Sequence, residues 1–138
     1  MNRRVLFLDF DGVLHDQAAT LGHFARAPAL AAVLVGKHVD IVVSSSWRFQ
    51  HSIARLRELL PHAIASRLVA CTGEAFAGRH ARYREITQWL QRSAPAADWR
   101  ALDDSAWEFP SSCLNLIACN PSHGLQDLEL QVLAEWLA

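Results

Sequence analysis

Residues 5–14, Val-Leu-Phe-Leu-Asp-Phe-Asp-Gly-Val-Leu, constrain this chain more than any other segment. Four apolar residues run into Asp9, and Phe10, Asp11 and Gly12 follow. A short apolar run bounded by turn residues fits a strand buried on both faces of a parallel sheet. Side chains alternate along a strand, so Asp9 and Asp11 are expected on one side where the strand stops and Gly12 turns the chain. In open α/β sheets, that carboxyl edge is where ligands bind. Two carboxylates there can hold a hard cation, or divide nucleophilic and acid/base work between them. A plain Asp-Gly turn accounts for Asp11-Gly12 but gives no reason for an acid, Asp9, at the edge of an apolar core.

The remaining segments alternate in kind. A first strand over about residues 4–9 precedes a helix opened by Ala27-Pro28, carrying Leu30, Val33 and Leu34 and stopped by Gly36. Val39 to Val43 reads as a second strand ending at Ser44-Ser45-Ser46. A helix follows, with Phe49, Ile53, Leu56 and Leu60 on one face and Pro61 closing it. Leu68 to Cys71 is a third strand, and Tyr83, Ile86, Trp89 and Leu90 mark a third helix. Trp99 to Leu102 is a fourth strand running into Asp103-Asp104, and Leu114 to Ala118 a fifth. A last helix carries Leu128, Val132, Leu133 and Trp136. Strands alternating with helices predict an α/β fold: a Rossmann-like, mostly parallel five-stranded sheet between two helical layers. The acids ending strands 1 and 4 should then share one rim.

Length and composition fit one domain over residues 1–138, with enough apolar residues for a core. A net charge of −1 gives no global pull toward nucleic acid or an anionic membrane. No apolar stretch approaches a membrane span, and the apolar run after Arg3-Arg4 is too short for a secretory signal. Cys71, Cys113 and Cys119 are an odd number with no Cys-x-x-Cys, which fits reduced thiols and a cytoplasmic location.

Four features fall at strand or helix ends: Asp9/Asp11, Ser44, the basic cluster Arg79, Arg82 and Arg84, and Asp103/Asp104. In this order they resemble the haloacid dehalogenase (HAD) superfamily of phosphohydrolases. Asp9-Phe10-Asp11-Gly12-Val13 is similar to that family's first motif, Ser44 to its second and Asp103-Asp104 to its acidic fourth. Ser-Ser-Ser-Trp-Arg at 44–48, Arg-x-x-Glu-Ile at 82–86 and Ala-Leu-Asp-Asp at 101–104 resemble a capless group that includes HAD domains of RNA-repair proteins.

The resemblance implies roles. Asp9 would attack phosphorus, while Asp11 would protonate the leaving oxygen and then activate water. Mg²⁺ would bind Asp9, the backbone carbonyl of Asp11, and Asp103. Ser44 and a cation would hold the phosphoryl oxygens, and Asp104 would orient metal waters or that cation. The family's usual lysine is missing, because the only lysine, Lys37, precedes strand 2 at the wrong end of the sheet. An arginine must serve. Arg82 is the expected one, with Arg84 and Arg79 behind it, and its planar fork differs from the compact charge of lysine.

Lesser candidates have bland alternatives. Ser45 either donates to phosphate or caps the helix beginning near Trp47. Trp47 reads as packing. Arg48 sits near a helix start, where a substrate anion would relieve an unfavourable cation. His15 is either a leaving-group contact or a surface histidine.

The gaps from Asp11 to Ser44 and from the third strand to Arg82 have no room for an inserted cap domain, so the site should be open. By resemblance, open sites serve macromolecular phosphates or are covered by a second subunit. The expected partner is therefore a phosphorylated substrate, with a nucleotide or nucleic-acid end as candidates, and a homo-oligomer is a candidate assembly. Two other classes compete. A phospho-accepting receiver domain would carry its acceptor on strand 3, where no acid stands here. A non-catalytic HAD-like binding module would have no need of all four acidic and hydroxyl positions.

Overall fold

The computed structural model describes residues 2–138. Its five strands are β1 (Arg4–Leu8), β2 (Asp40–Val43), β3 (Leu68–Cys71), β4 (Asp98–Asp103) and β5 (Leu116–Ala118). They pair in parallel throughout, in the order β3-β2-β1-β4-β5. The helices are α1 (Ala27–Leu34), α2 (Ile53–Leu59), α3 (His62–Ala65), α4 (Ala81–Ser93) and α5 (Asp127–Leu137). The central strand is β1, the segment whose apolar run demanded burial on both faces.

Alternation along β1 divides the core. Leu6 and Leu8 face Leu30 and Leu34 of α1, Leu56 of α2, Ile64 of α3, and Leu133 and Leu137 of α5. Val5 and Phe7 face Ile86 and Leu90 of α4. Phe7 meets Trp89 and Trp99 edge-on at 5.7 Å each, an arrangement the ring quadrupoles favour. Each such buried side chain contributes about 1.5–3 kcal/mol through removal from water. The result is a three-layer HAD-like α/β fold. Between Asp11 and β2 there are only loops and α1, and between β3 and α4 only residues 72–80, so no cap domain is inserted.

Three expectations are corrected locally. The single helix expected after Ser46 and closed by Pro61 is instead a 3₁₀ turn (Ser46–Phe49) followed by α2, and the short α3 begins only after Pro61. Ser52 causes the break: its hydroxyl accepts from Arg55 N–H and starts a fresh helix. Phe49 consequently leaves the apolar face and is exposed. In α5 the core positions are Leu133 and Leu137, whereas Leu128 and Val132 face solvent. Leu114 precedes β5 and is exposed rather than in the strand.

Candidate active site

The ladder hydrogen bonds continue one residue past β1, β2 and β3. Asp9 N–H donates to Leu102 C=O (3.1 Å), Ser44 N–H to Leu8 C=O (3.1 Å) and Thr72 N–H to Val43 C=O (2.9 Å). With Leu8 opposite both Val43 and Leu102, and Val43 opposite Cys71, the next residues form one row across four strands: Asp103, Asp9, Ser44, Thr72. The alternation that sends Val5 and Phe7 toward α4 sends Asp9 there too. A polar row thus caps the apolar sheet at its carboxyl edge, beneath the start of α4.

Asp9, Asp103 and Asp104 are buried, and each brings a carboxylate oxygen to within 4.8 Å of the others. Arg82, in the first turn of α4, reaches down to them. Its Nη1 donates to Asp103 Oδ2 at 2.7 Å and lies 3.5 Å from Asp9 Oδ1. One guanidinium does not balance three carboxylates. Burial first, then Asp103, holds the Asp9 carboxyl well above the usual range despite the opposing pull of Arg82. Burial likewise pushes Asp103 up to about 6, against Arg82 and the Ser105 N–H that favour its charged form. For Arg82, burial works to lower the pKa, but Asp103, Asp9 and Glu85 outweigh it and raise it. An all-oxygen set with an unmet negative charge fits a hard divalent cation such as Mg²⁺.

Gly12 makes the position of Asp104 attainable. Its φ is +78°, and a Cβ there would stand 2.0 Å from Asp104 Oδ2. Only glycine allows both the turn and this approach. Gln17 Nε2 donates to the same Oδ2 at 2.6 Å, fixing the carboxylate over the turn.

The Asp11 side chain goes elsewhere. The expected shared side fails because Phe10 C=O accepts from both Val13 and Leu14 N–H, so the chain has left the strand before Asp11. Asp11 Oδ1 lies 2.7 Å from His15 Nε2, and Oδ2 accepts from Trp47 Nε1 at 3.2 Å. Its carboxylate therefore lies outside the three-acid cluster, and only its backbone carbonyl remains as the ligand the resemblance implied. The side chain is 41% exposed at the mouth of the site. His15 is not a surface histidine: it is buried, and its Nδ1 accepts from Phe24 N–H at 3.1 Å.

Among the described residues, the buried Ser44 Oγ finds no hydrogen-bond partner, and the same holds for Thr72 Oγ1. A buried hydroxyl without a partner is costly, and in a site it marks a place for a ligand or water. Ser45 acts as the helix-start cap, its Oγ accepting from Trp47 N–H at 3.2 Å. Arg48 is turned inward, with its side chain 3% exposed. It donates to Ser44 and Ser45 C=O, to Gly73 C=O and to Glu85 Oε1, leaving it as the brace of the β2 loop rather than a free anion contact. Glu85, buried on α4, also accepts from Phe76 N–H and lies 3.8 Å from Arg82 Nε. Of the three candidate arginines, Arg82 alone is brought to the acids. Arg84 is tied to the carbonyls of Ala77 and Arg79, and Arg79 is exposed.

Sequence reasoning missed Glu85, Thr72, Gln17 and the buried state of His15. Glu85 stands in the Arg-x-x-Glu spacing, which puts it one helical turn from Arg82 and was a usable signal. Thr72 follows β3 as Ser44 follows β2. The contacts of Gln17 and His15 depend on the path of a loop.

A parallel sheet with this strand order, no inserted cap, and acids on the ends of β1 and β4 defines a small HAD-type α/β protein. A family model described as "HAD domain in Swiss Army Knife RNA repair proteins" matches residues 5–130. The chain belongs to that family, and through it to the HAD superfamily of phosphohydrolases. No curated protein and no solved structure matches the chain. Among the described residues, no helix is long and apolar enough to cross a membrane.

Proposed function

We propose that this chain is a Mg²⁺-dependent phosphatase that hydrolyses phosphomonoesters through an aspartyl-phosphate on Asp9, with a phosphorylated nucleotide or nucleic-acid end as substrate. The observation that carries the reading is the buried Asp9, Asp103 and Asp104 cluster, which among the described residues is met by the one guanidinium of Arg82. Asp9 in that state is biased toward its neutral form, and a neutral carboxyl does not attack phosphorus. A divalent cation held by Asp9, Asp103 and the Asp11 carbonyl, beside Asp104, would keep Asp9 ionised and offset phosphoryl charge.

The protein's own groups divide the remaining work. Asp9 attacks phosphorus and displaces the ester oxygen. Asp11, open at the mouth of the site, gives that oxygen a proton, then takes one from the water that hydrolyses the aspartyl-phosphate. The unpartnered Ser44 hydroxyl and the Arg82 fork are the donors suited to phosphoryl oxygens. The absence of an inserted cap leaves the rim accessible to a phosphate at the end of a polymer, and the family's description as part of RNA-repair proteins supports a nucleic-acid end.

Phosphate release should be assayed on 5′- and 3′-phosphorylated oligonucleotides, mononucleotides and simple alkyl phosphates, with Mg²⁺ and with EDTA. Mg²⁺-dependent release, strongest on nucleic-acid ends, is expected. Release that is equal in EDTA would contradict the metal assignment. Release confined to alkyl phosphates would contradict the substrate class.

A further inference from the structure

We propose that His15 is a positioning residue for Asp11, one that sets the direction of the acid/base carboxylate through a single imidazole tautomer. This inference rests on the acid/base role of Asp11 given above. The two ring nitrogens of His15 are engaged differently. Nδ1 receives the Phe24 N–H at 3.1 Å, so it carries no proton in the neutral ring. The proton is then on Nε2, which donates to Asp11 Oδ1 at 2.7 Å. The indole N–H of Trp47 holds the second oxygen at 3.2 Å. Asp11 is gripped at both oxygens by neutral donors while its side chain stays 41% exposed.

The backbone is strained to make this grip. Phe24 has φ +65°, a left-handed conformation that is costly for a residue with a Cβ. That conformation turns its N–H onto His15 and lays its ring against Phe10, His15 and Trp47, with centroids 5.6, 5.6 and 5.3 Å away. The loop after β5 closes over the same segment. Leu125 N–H donates to Val13 C=O, and a Cβ on Gly124 would stand 2.9 Å from that oxygen. Strain, burial and tautomer therefore converge on one outcome, the orientation of the Asp11 carboxylate.

Two conservative variants separate this role from loop anchoring. In His15→Gln the amide nitrogen stands near the Nε2 position and still donates to Asp11, but Phe24 N–H loses its acceptor. In His15→Asn the amide oxygen stands near the Nδ1 position and still receives Phe24 N–H, but Asp11 loses its donor. His15→Gln should keep kcat near wild type. His15→Asn should lower it by about 10- to 100-fold with little change in KM, as loss of an orienting partner typically does. The loss in His15→Asn should be deeper for an alkyl phosphate, whose leaving oxygen needs a proton, than for p-nitrophenyl phosphate. The reverse order of the two variants would overturn the proposal, because it would make His15 only a loop anchor. Equal losses on both substrates would overturn it too. The tautomer is read independently by long-range ¹H–¹⁵N NMR of wild-type protein. A protonated Nε2 and bare Nδ1 are expected, and the opposite tautomer overturns the inference. If wild-type protein releases no phosphate from any ester yet shows the expected tautomer, the phosphatase reading fails while the His15–Asp11 geometry stands.

Discussion

Arg82 donates to Asp103 across 2.7 Å, tying the first turn of α4 to the end of β4 at the point where the chain carries most of its buried charge. This ion pair is the cationic half of the proposed phosphate site and also the brace that keeps three acids together without metal. Removing one partner of a buried pair leaves the other uncompensated, a larger loss than the pair's net worth.

Arg82→Ala should therefore lower phosphate release by about 100-fold or more, the scale seen when a transition-state donor is removed. Arg82→Lys keeps the charge but loses the planar fork, and should fall between Ala and wild type. Arg79→Ala, an exposed change in the same basic cluster, should leave turnover at the wild-type level. Steady-state kinetics on one phosphorylated substrate checks all three, and a loss in Arg79→Ala equal to that in Arg82→Ala would refute the assignment.

Stability should depend on pH and Mg²⁺ together. The folded pKa of Asp103 is raised from 3.8 to about 6, and that of Asp9 is raised in the same direction. Between the unfolded and folded values the native state binds more protons, so this contribution is largest below the unfolded value and is lost as pH rises through about 6. Metal-free protein should lose on the order of 5 °C in Tm across that window. Mg²⁺ should restore it above the window, where the acids are ionised, and do little below. Asp103→Asn should flatten both effects. Melting curves in EDTA and in Mg²⁺ at two pH values test this, and a metal-free Tm that climbs through the window contradicts it.

Gly12→Ala should be severe for its size. The substitution meets a positive φ and an Asp104 oxygen 2.0 Å from the new Cβ. A cost of about 2 kcal/mol or more is expected in urea unfolding, with loss of phosphate release because Asp104 must move. A cost under about 0.5 kcal/mol, the level of an ordinary surface change, would refute the close packing of Asp104 on this turn.

Glu85→Ala strands Arg48, whose side chain is 3% exposed and tied to Glu85 at 2.9 Å. The expected cost is about 3–5 kcal/mol, the range for a broken buried pair. Arg48→Met combined with Glu85→Ala should cost less than the sum of the two single changes. Additive losses would mean that the two side chains do not support each other.

The sheet was legible in the sequence because buried parallel strands are short apolar runs, and the chemistry-bearing residues end those runs. Asp9, Ser44 and Asp103 each stop such a run, and parallel register then aligns them without help from the loops. Helix boundaries were less legible. Ser52 starts a new helix inside a pattern that reads as continuous, and Leu128 and Val132 share the apolar character of α5 without sharing its buried face. The direction of Asp11 was not legible. It is decided by the turn at Phe10 and by two donors, His15 and Trp47, the first held by a left-handed Phe24 whose sequence gives no sign of that conformation. Arg82 was separable from Arg84 by its place four residues before Ile86, one helical turn ahead of the first strongly apolar position of α4. The carbonyls that occupy Arg84 belong to a loop with no periodicity to read.

Asp9 stands in this mechanism as the nucleophile of a phosphatase. The most direct measurement is inorganic phosphate release by Asp9→Asn against wild type in Mg²⁺, with the melting temperature of each recorded in the same buffer. Release by the variant should fall to background. Its metal-free melting temperature should equal or exceed that of wild type, because the substitution removes one of the buried acids that repel each other. Continued turnover by a folded Asp9→Asn protein would contradict the account.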